Sequence, residues 1–169
     1  MRQSLHFPTT VGLALVLTIV SVTLSIPHPA RAADISGQAH VIDGNTLRID
    51  NTRVTLYGID ALELKQTCKT RKGKTQLCGD LARQSLATLL DRRKIVCESK
   101  GRDSGGGLAA ICFVGPLSVN EHMVADGWAL ADRQTGQDFV RAEAFAKDQR
   151  EGMWRTKFIP PWEWRKLNN

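Results

Sequence analysis

The sequence predicts an α+β domain: a five-stranded, OB-like β-barrel capped by about three helices. Three observations predict it. Five short β-type runs recur with turn residues between them, and a helical stripe falls between the third and fourth. A glycine-rich link, "KGRDSGGG", joins the last two strong runs. The chain has 169 residues, room for one such unit and hardly two. Closure into a barrel removes exposed sheet edges, and the helices then cover the ends.

Residues 1–32 are unlike the rest. Arg2 supplies a positive start, Val11 to Ile26 is mostly apolar with only Thr and Ser as polar interruptions, and Pro27 and Pro29 break the run. Ala30-Arg31-Ala32 fits a small-x-small cleavage site, so 1–32 reads as a secretory signal peptide and 33–169 as the exported domain. As a membrane helix Val11–Ile26 would span about 24 Å, short of a hydrocarbon core of about 30 Å. The expectation is therefore a periplasmic or secreted protein without a stable membrane anchor after cleavage.

The barrel elements follow. Ile35 to Val41 alternates as a strand, and Asp43-Gly44 marks a turn. Thr46–Ile49 and Arg53–Tyr57 flank Asp50-Asn51 as a hairpin. Leu62 to Cys78 is polar, with Lys65, Lys69, Arg71, Lys72 and Lys74 between two cysteines, and reads as an exposed basic loop. Gly79 to Leu90 is helical: Leu81, Ala82, Leu86, Leu89 and Leu90 share a stripe, and Asp80 sits at the positive end. Ile95–Ser99 and Leu108–Val114 are the last two strands. Ser118-Val119-Asn120-Glu121 has the S-x-x-E form of a capping box and opens a helix to about Asp126, which Gly127 ends. Phe139 to Arg150 is a further helix with Val140, Ala144 and Phe145 expected inside and Gly152 as its stop. "FIPPWEWRK" reads as an extended tail whose Trp162 and Trp164 anchor it to the body.

Four cysteines, Cys68, Cys78, Cys97 and Cys112, all lie in the exported part and allow three pairings. No C-x-x-C occurs and no histidine stands at ligand spacing, which argues against zinc. Export favours disulfides. Cys97 and Cys112 stand at similar distances from the glycine-rich link, a cross-strand arrangement, and Cys68–Cys78 would pin the basic loop. The formal charge of +6 falls to +4 when Arg2 and Arg31 leave with the signal. That mild excess admits an anionic polymer, polysaccharide or nucleic acid, as partner.

With these elements in place, "VIDGNTLRI", "VTLYGIDALE", "GRDSGGGLAAICF", "VNEHMVADGWA" and "GMWRTKFIPPWEWR" resemble the successive motifs of the thermonuclease, or staphylococcal nuclease-like, family. The resemblance covers nearly all of Ile35 to Arg165, and with four cysteines and a P-P-W-x-W-R tail it is similar to exported Gram-negative members. It implies the OB-like fold. In that family two aspartates hold Ca²⁺ through hard oxygen ligands, a glutamate serves as proposed general base, and two arginines bind the phosphodiester and stabilise its transition state. The first metal aspartate falls on Asn45, the second on Asp60, and the glutamate on Glu63. The two arginines fall on Thr55 and Gly107, and the proline before the glutamate on Leu62. Asn45 can ligate calcium but brings no charge, and neither Thr nor Gly replaces a guanidinium. Arg53, on the same strand face as Thr55, and Arg102, on the loop of Gly107, are the residues from which a rewired site could be built.

The resemblance thus implies a retained fold with a largely dismantled catalytic centre, its remnants Asp60 and Glu63 and a weak metal pair Asp60 and Asn45. Some degenerate exported members are linked to exopolysaccharide (succinoglycan) production, so the expected role is a non-enzymatic accessory or binding protein without a cofactor. The alternative is a residual or rewired Ca²⁺-dependent nuclease acting on DNA or RNA.

Overall fold

The computed structural model describes residues 34–168, so the expected signal peptide lies outside the described residues. Strands β1 (Ile35–Val41), β2 (Thr46–Ile49) and β3 (Thr52–Leu56) form an antiparallel meander. Strands β7 (Lys94–Arg102) and β8 (Leu108–Val114) continue it, β7 pairing with β1. The barrel closes where β8 runs parallel to β3, with Thr55 opposite Ala109. Five strands in the order β3-β2-β1-β7-β8 thus form the predicted barrel, and β9 (Leu117–Ser118) adds a short flap to β8.

Alternation drives the closure. Leu47, Ile49, Val54, Leu56, Ile95 and Ala110 are buried inward-facing residues, and burying each large aliphatic is worth about 1.5–3 kcal/mol. Cys97 and Cys112 are directly opposed in the register and joined by a disulfide inside this core. Asn120, fully buried, stitches the seam: its Oδ1 accepts from Cys112 N, and its Nδ2 donates to the carbonyls of Tyr57 and Ala110.

Helix α1 (Cys78–Leu90) covers one end of the barrel with Ala82, Leu86 and Leu90. Helix α2 (Val119–Ala125) begins as the capping-box pattern predicts, Ser118 accepting from Glu121 N, and ends before Gly127 at φ +73°. Strands β4 (Ile59–Ala61) and β10 (Ala129–Ala131) pair beside the barrel.

Three expectations differ from the structure. The basic stretch is an ordered hairpin, β5 (Thr67–Thr70) and β6 (Thr75–Leu77), to which β11 (Thr156–Lys157) adds a third strand. The Cys68–Cys78 disulfide ties it to α1. Helix α3 (Val140–Gln149) turns Glu143 and Ala146 inward and leaves Ala144 and Phe145 exposed. The reason is a salt bridge: Glu143 receives Arg133 at 2.6 Å and Lys147 at 3.3 Å, and also accepts from Ala131 N on β10. The tail is helical, not extended: α4 spans Pro161–Asn168. Proline is well placed at the first helical position, where no backbone N–H is needed. Trp162 packs α4 onto a second core cluster of Leu62, Cys68, Cys78, Leu130 and Met153.

Candidate functional site

The turn that begins the site is fixed by steric limits. Asp43 accepts from the backbone N–H of Asn45, an Asx turn. A Cβ on Gly44 would lie 2.6 Å from the Ala61 Cβ and 2.9 Å from that of Ala82, so only glycine lets the turn seat between β4 and α1. Asn45 is thereby held beside β4, its Nδ2 donating to the Ile59 carbonyl at 3.4 Å. Asp60 comes next on that strand.

Glu63 is placed by a second close approach. A Cβ on Gly79 would fall 1.8 Å from the Glu63 carbonyl oxygen, so the start of α1 can press against this loop only with glycine there. Buried Gln66 completes the mounting. Its side-chain oxygen accepts from Glu63 N at 3.1 Å, and its Nε2 donates to the Ile159 carbonyl at 2.8 Å. One glutamine therefore ties the Glu63 loop to the segment leading into α4.

That segment delivers Arg165. Its Nη1 donates to Asp60 Oδ1 at 3.0 Å and to Glu63 Oε1 at 2.7 Å, and its Nη2 donates to Asp60 Oδ2 at 2.7 Å. Both oxygens of Asp60 and one of Glu63 are thus taken by a single guanidinium, the planar fork that suits carboxylates best. Burial pushes the Asp60 carboxyl above its ordinary value; Arg165 offsets part of this, and the charges of Glu63 and Asp132 add to the rise. The Arg165 guanidinium is held above its ordinary value by its bond to Asp60 first, then against burial by Glu63.

Thr55 and Gly107, the positions at which the resemblance sets the family's arginines, lie in a separate network. Thr55 Oγ1 donates to Asp103 Oδ2 at 2.6 Å. The other Asp103 oxygen accepts from the backbone N–H groups of Gly105 at 3.0 Å and Gly107 at 2.7 Å. The Thr55 bond is the main reason the Asp103 carboxyl sits below its ordinary value, with Gly107 and Gly105 adding to it against desolvation. A Cβ on Gly107 would stand 2.9 Å from Asp103 Oδ2 and 3.2 Å from the Arg53 carbonyl oxygen, so the loop is drawn tightly onto β3. Arg53 reaches Thr46 Oγ1 at 3.5 Å, and Arg102 donates to the Gly106 carbonyl of its own loop at 2.8 Å.

The structure thus gathers Asn45, Asp60 and Glu63 around one loop and strand, and Thr55 and Gly107 around Asp103. Among the described residues, no group of three or more His, Cys, Asp or Glu is arranged to hold a metal ion. The sequence reading missed Arg165 and Gln66. The stretch "PPWEWR" suggests an anchored tail, and nothing in its spacing brings Arg165 to Asp60 and Glu63.

Comparison with known proteins agrees with the geometry of the barrel. A family profile described as Staphylococcal nuclease homologue matches residues 53–156. A Rhizobium meliloti (strain 1021) protein, "Succinoglycan biosynthesis protein ExoI", is 36% identical over 143 residues, covering 82% of this chain and 74% of its own. "Protein ParB" of Escherichia coli is 31% identical over 164 residues, 86% of this chain and 87% of that protein. A Haemophilus influenzae (strain ATCC 51907 / DSM 11121 / KW20 / Rd) protein named "Uncharacterized endonuclease" is 26% identical over 163 residues, 92% and 83% of the two chains. The profile match, over more than half of the chain, and the closed barrel together establish that this protein belongs to the staphylococcal nuclease homologue family.

Proposed function

We propose that the protein is a non-enzymatic accessory of exopolysaccharide biosynthesis that acts outside the cytoplasm. The observation that carries the non-enzymatic reading is Arg165 on Asp60 and Glu63. A hard dication needs several anionic or neutral oxygens free to turn toward it. Here a monovalent guanidinium takes both Asp60 oxygens, and Asn45, in place of a charged ligand, turns its amide nitrogen to Ile59. These residues fit an internal salt bridge better than a calcium ion, so the reading needs no cofactor. The loss of preorganised charge at Thr55 and Gly107 points the same way: removing one such donor typically costs about 10²–10³ in rate.

The polysaccharide part rests on the relative named for succinoglycan biosynthesis. The compartment rests on the two disulfides, which fit an oxidising environment. No helix among the described residues is long and apolar enough to cross a membrane. The test is genetic complementation with polymer yield as the readout. Deleting the gene lowers acidic exopolysaccharide yield, and Glu63→Ala restores it as fully as the unaltered chain does. Unchanged yield on deletion, or rescue that requires Glu63, contradicts the proposal.

The second reading, a residual calcium-dependent nuclease, is favoured by retained Asp60 and Glu63 and by the relative named as an endonuclease. It requires Arg165 to leave the carboxylates before a cation binds.

A further inference from the structure

The basic hairpin forms one wall of a groove that shares no residue with the Asp60–Glu63–Arg165 cluster. Facing it are the end of α3 and the turn that follows, and the volume enclosed is about 980 Å³. The turn is locked in place: a Cβ on Gly152 would lie 2.4 Å from the Gly127 carbonyl oxygen, and Met153 N donates to that same oxygen. The opposite wall is equally fixed, by the Cys68–Cys78 disulfide and by the pairing of Thr70 with Thr156. The groove is therefore preformed.

Its charge is predominantly positive. Arg71, Lys72, Lys74 and Arg150 line it, all exposed, and none makes an ion pair among the described residues. Two acids stand on its walls: Glu151 pairs with Arg155 at 2.9 Å, and Asp126 meets His122 at 3.0 Å, a contact that is an ion pair only when the imidazole is protonated. The carbonyl end of α3 would repel an anion, but Arg155 Nε donates to the Arg150 carbonyl and Glu151 N to that of Ala146. Four unpaired cations over a preformed concavity call for a polyanion.

The remaining lining separates two kinds of polyanion. Trp128 is the one aromatic residue in this groove among the described residues, half-buried against the core, and Thr70, Gln76 and Gln149 line the same groove. A second hollow of about 520 Å³ meets the first at Thr156 and carries Trp154, Phe158 and Trp162. The Trp154 ring, however, is covered by the Lys147 ammonium at 4.6 Å and met edge-on by Phe158. Single strands are held by a basic groove together with successive aromatic faces on which bases stack; here Trp154, Phe158 and Trp162 pack against the second core cluster, and the basic groove itself carries Trp128. A single aromatic ring with amides and hydroxyls around it suits a sugar ring, whose C–H face packs on the indole and whose hydroxyls bond the polar neighbours. Two adjoining hollows suit a polymer.

We infer that this groove binds an acidic polysaccharide chain, with its carboxylates or acidic substituents on Arg71, Lys72, Lys74 and Arg150 and a sugar ring on Trp128. The inference deepens the accessory reading and rests on it for the presence of such a polymer.

The probes are a hexameric uronate oligosaccharide from alginate, neutral dextran of equal length, and single-stranded DNA of equal charge, each titrated calorimetrically into the purified protein. The uronate binds, the dextran does not, and affinity falls as salt screens the cations. Lys72→Ala with Lys74→Ala weakens uronate binding by about tenfold or more. Both lysines are exposed, so this variant keeps its fold, which an unchanged melting temperature verifies. Trp128→Phe retains packing and weakens binding less. Equal binding of dextran, absence of uronate binding, or an unaffected double variant overturns the inference. Tighter binding of DNA than of uronate overturns it in favour of a nucleic acid. Lost binding with polymer yield still dependent on the gene sinks the groove alone. Retained binding with yield independent of the gene sinks the accessory role alone.

Discussion

Glu143 and Asp60 are both carboxylates drawn into the protein and met by a guanidinium, and they differ in where that guanidinium comes from. Glu143 is only 1% exposed and is answered locally, by Arg133 ten residues before it and Lys147 one helical turn after. Burial would raise its pKa, but Arg133 and then Lys147 outweigh burial and hold the carboxyl below its ordinary value. Asp60 is 16% exposed and is answered by Arg165, 105 residues away on the last helix. There burial prevails and the carboxyl stays above its ordinary value. The first cluster has the balance of a structural ion pair. In the second, burial outweighs the guanidinium, and charging the carboxyl remains unfavourable relative to water.

The comparison breaks first, and with the largest effect, at Glu143. Glu143→Ala removes the acceptor for Ala131 N and empties a buried volume, so it should cost about 2–3 kcal/mol. Denaturant unfolding at neutral pH measures it. The sign of the pH dependence follows from the depressed pKa. The stabilisation is present above the ordinary carboxylate range and is lost as pH falls through the folded-state value. Glu143→Gln should therefore flatten the acid limb of the stability profile, and an unchanged limb would show that the pair contributes nothing.

Arg165→Ala comes next. Arg165 is 39% exposed, so solvent screening limits the loss to about 1 kcal/mol. Its pH dependence carries the signature of Asp60. A carboxyl with a raised folded pKa favours folding when protonated, and that contribution fades as pH rises through the folded value. Without Arg165 the Asp60 pKa rises further, so the variant's deficit should be small in acid and grow toward neutrality. A deficit independent of pH would show that Arg165 acts only through packing of α4.

The smallest effect is at the Asp103 network. Thr55→Val removes one hydrogen bond to a carboxylate that two glycine N–H groups still hold, and should cost about 1 kcal/mol or less in a denaturant titration. The companion change sharpens the point. Thr55→Arg with Gly107→Arg should not create phosphodiesterase activity, because Arg165 still holds Asp60 and Glu63. Gain of cleavage would show that Arg165 does not block the carboxylates.

The barrel was legible because its signals are local. Alternation in β1–β3, the Leu stripe of α1 and the S-x-x-E cap of α2 each sit within a dozen residues, and the cysteine positions carried both bridges. The hairpin β5–β6 was not legible, because its Thr, Lys and Gln residues form no apolar alternation and its order comes from a disulfide and a strand supplied by residues 156–157. Helix α4 was hidden by Pro160-Pro161, which reads as a breaker yet here opens a helix. Of the site, Asn45, Asp60, Glu63, Thr55 and Gly107 could be placed by motif. Arg165 could not, because its role depends on a contact between the two ends of the domain that no spacing reports.

The most direct test of the central claim is calcium-dependent phosphodiester cleavage by the purified protein, measured against Glu63→Ala on single-stranded DNA and RNA. The account predicts that added Ca²⁺ gives both proteins the same background rate. Cleavage that rises with Ca²⁺ and disappears in Glu63→Ala would contradict it, and would mean that Arg165 yields the carboxylates to a cation.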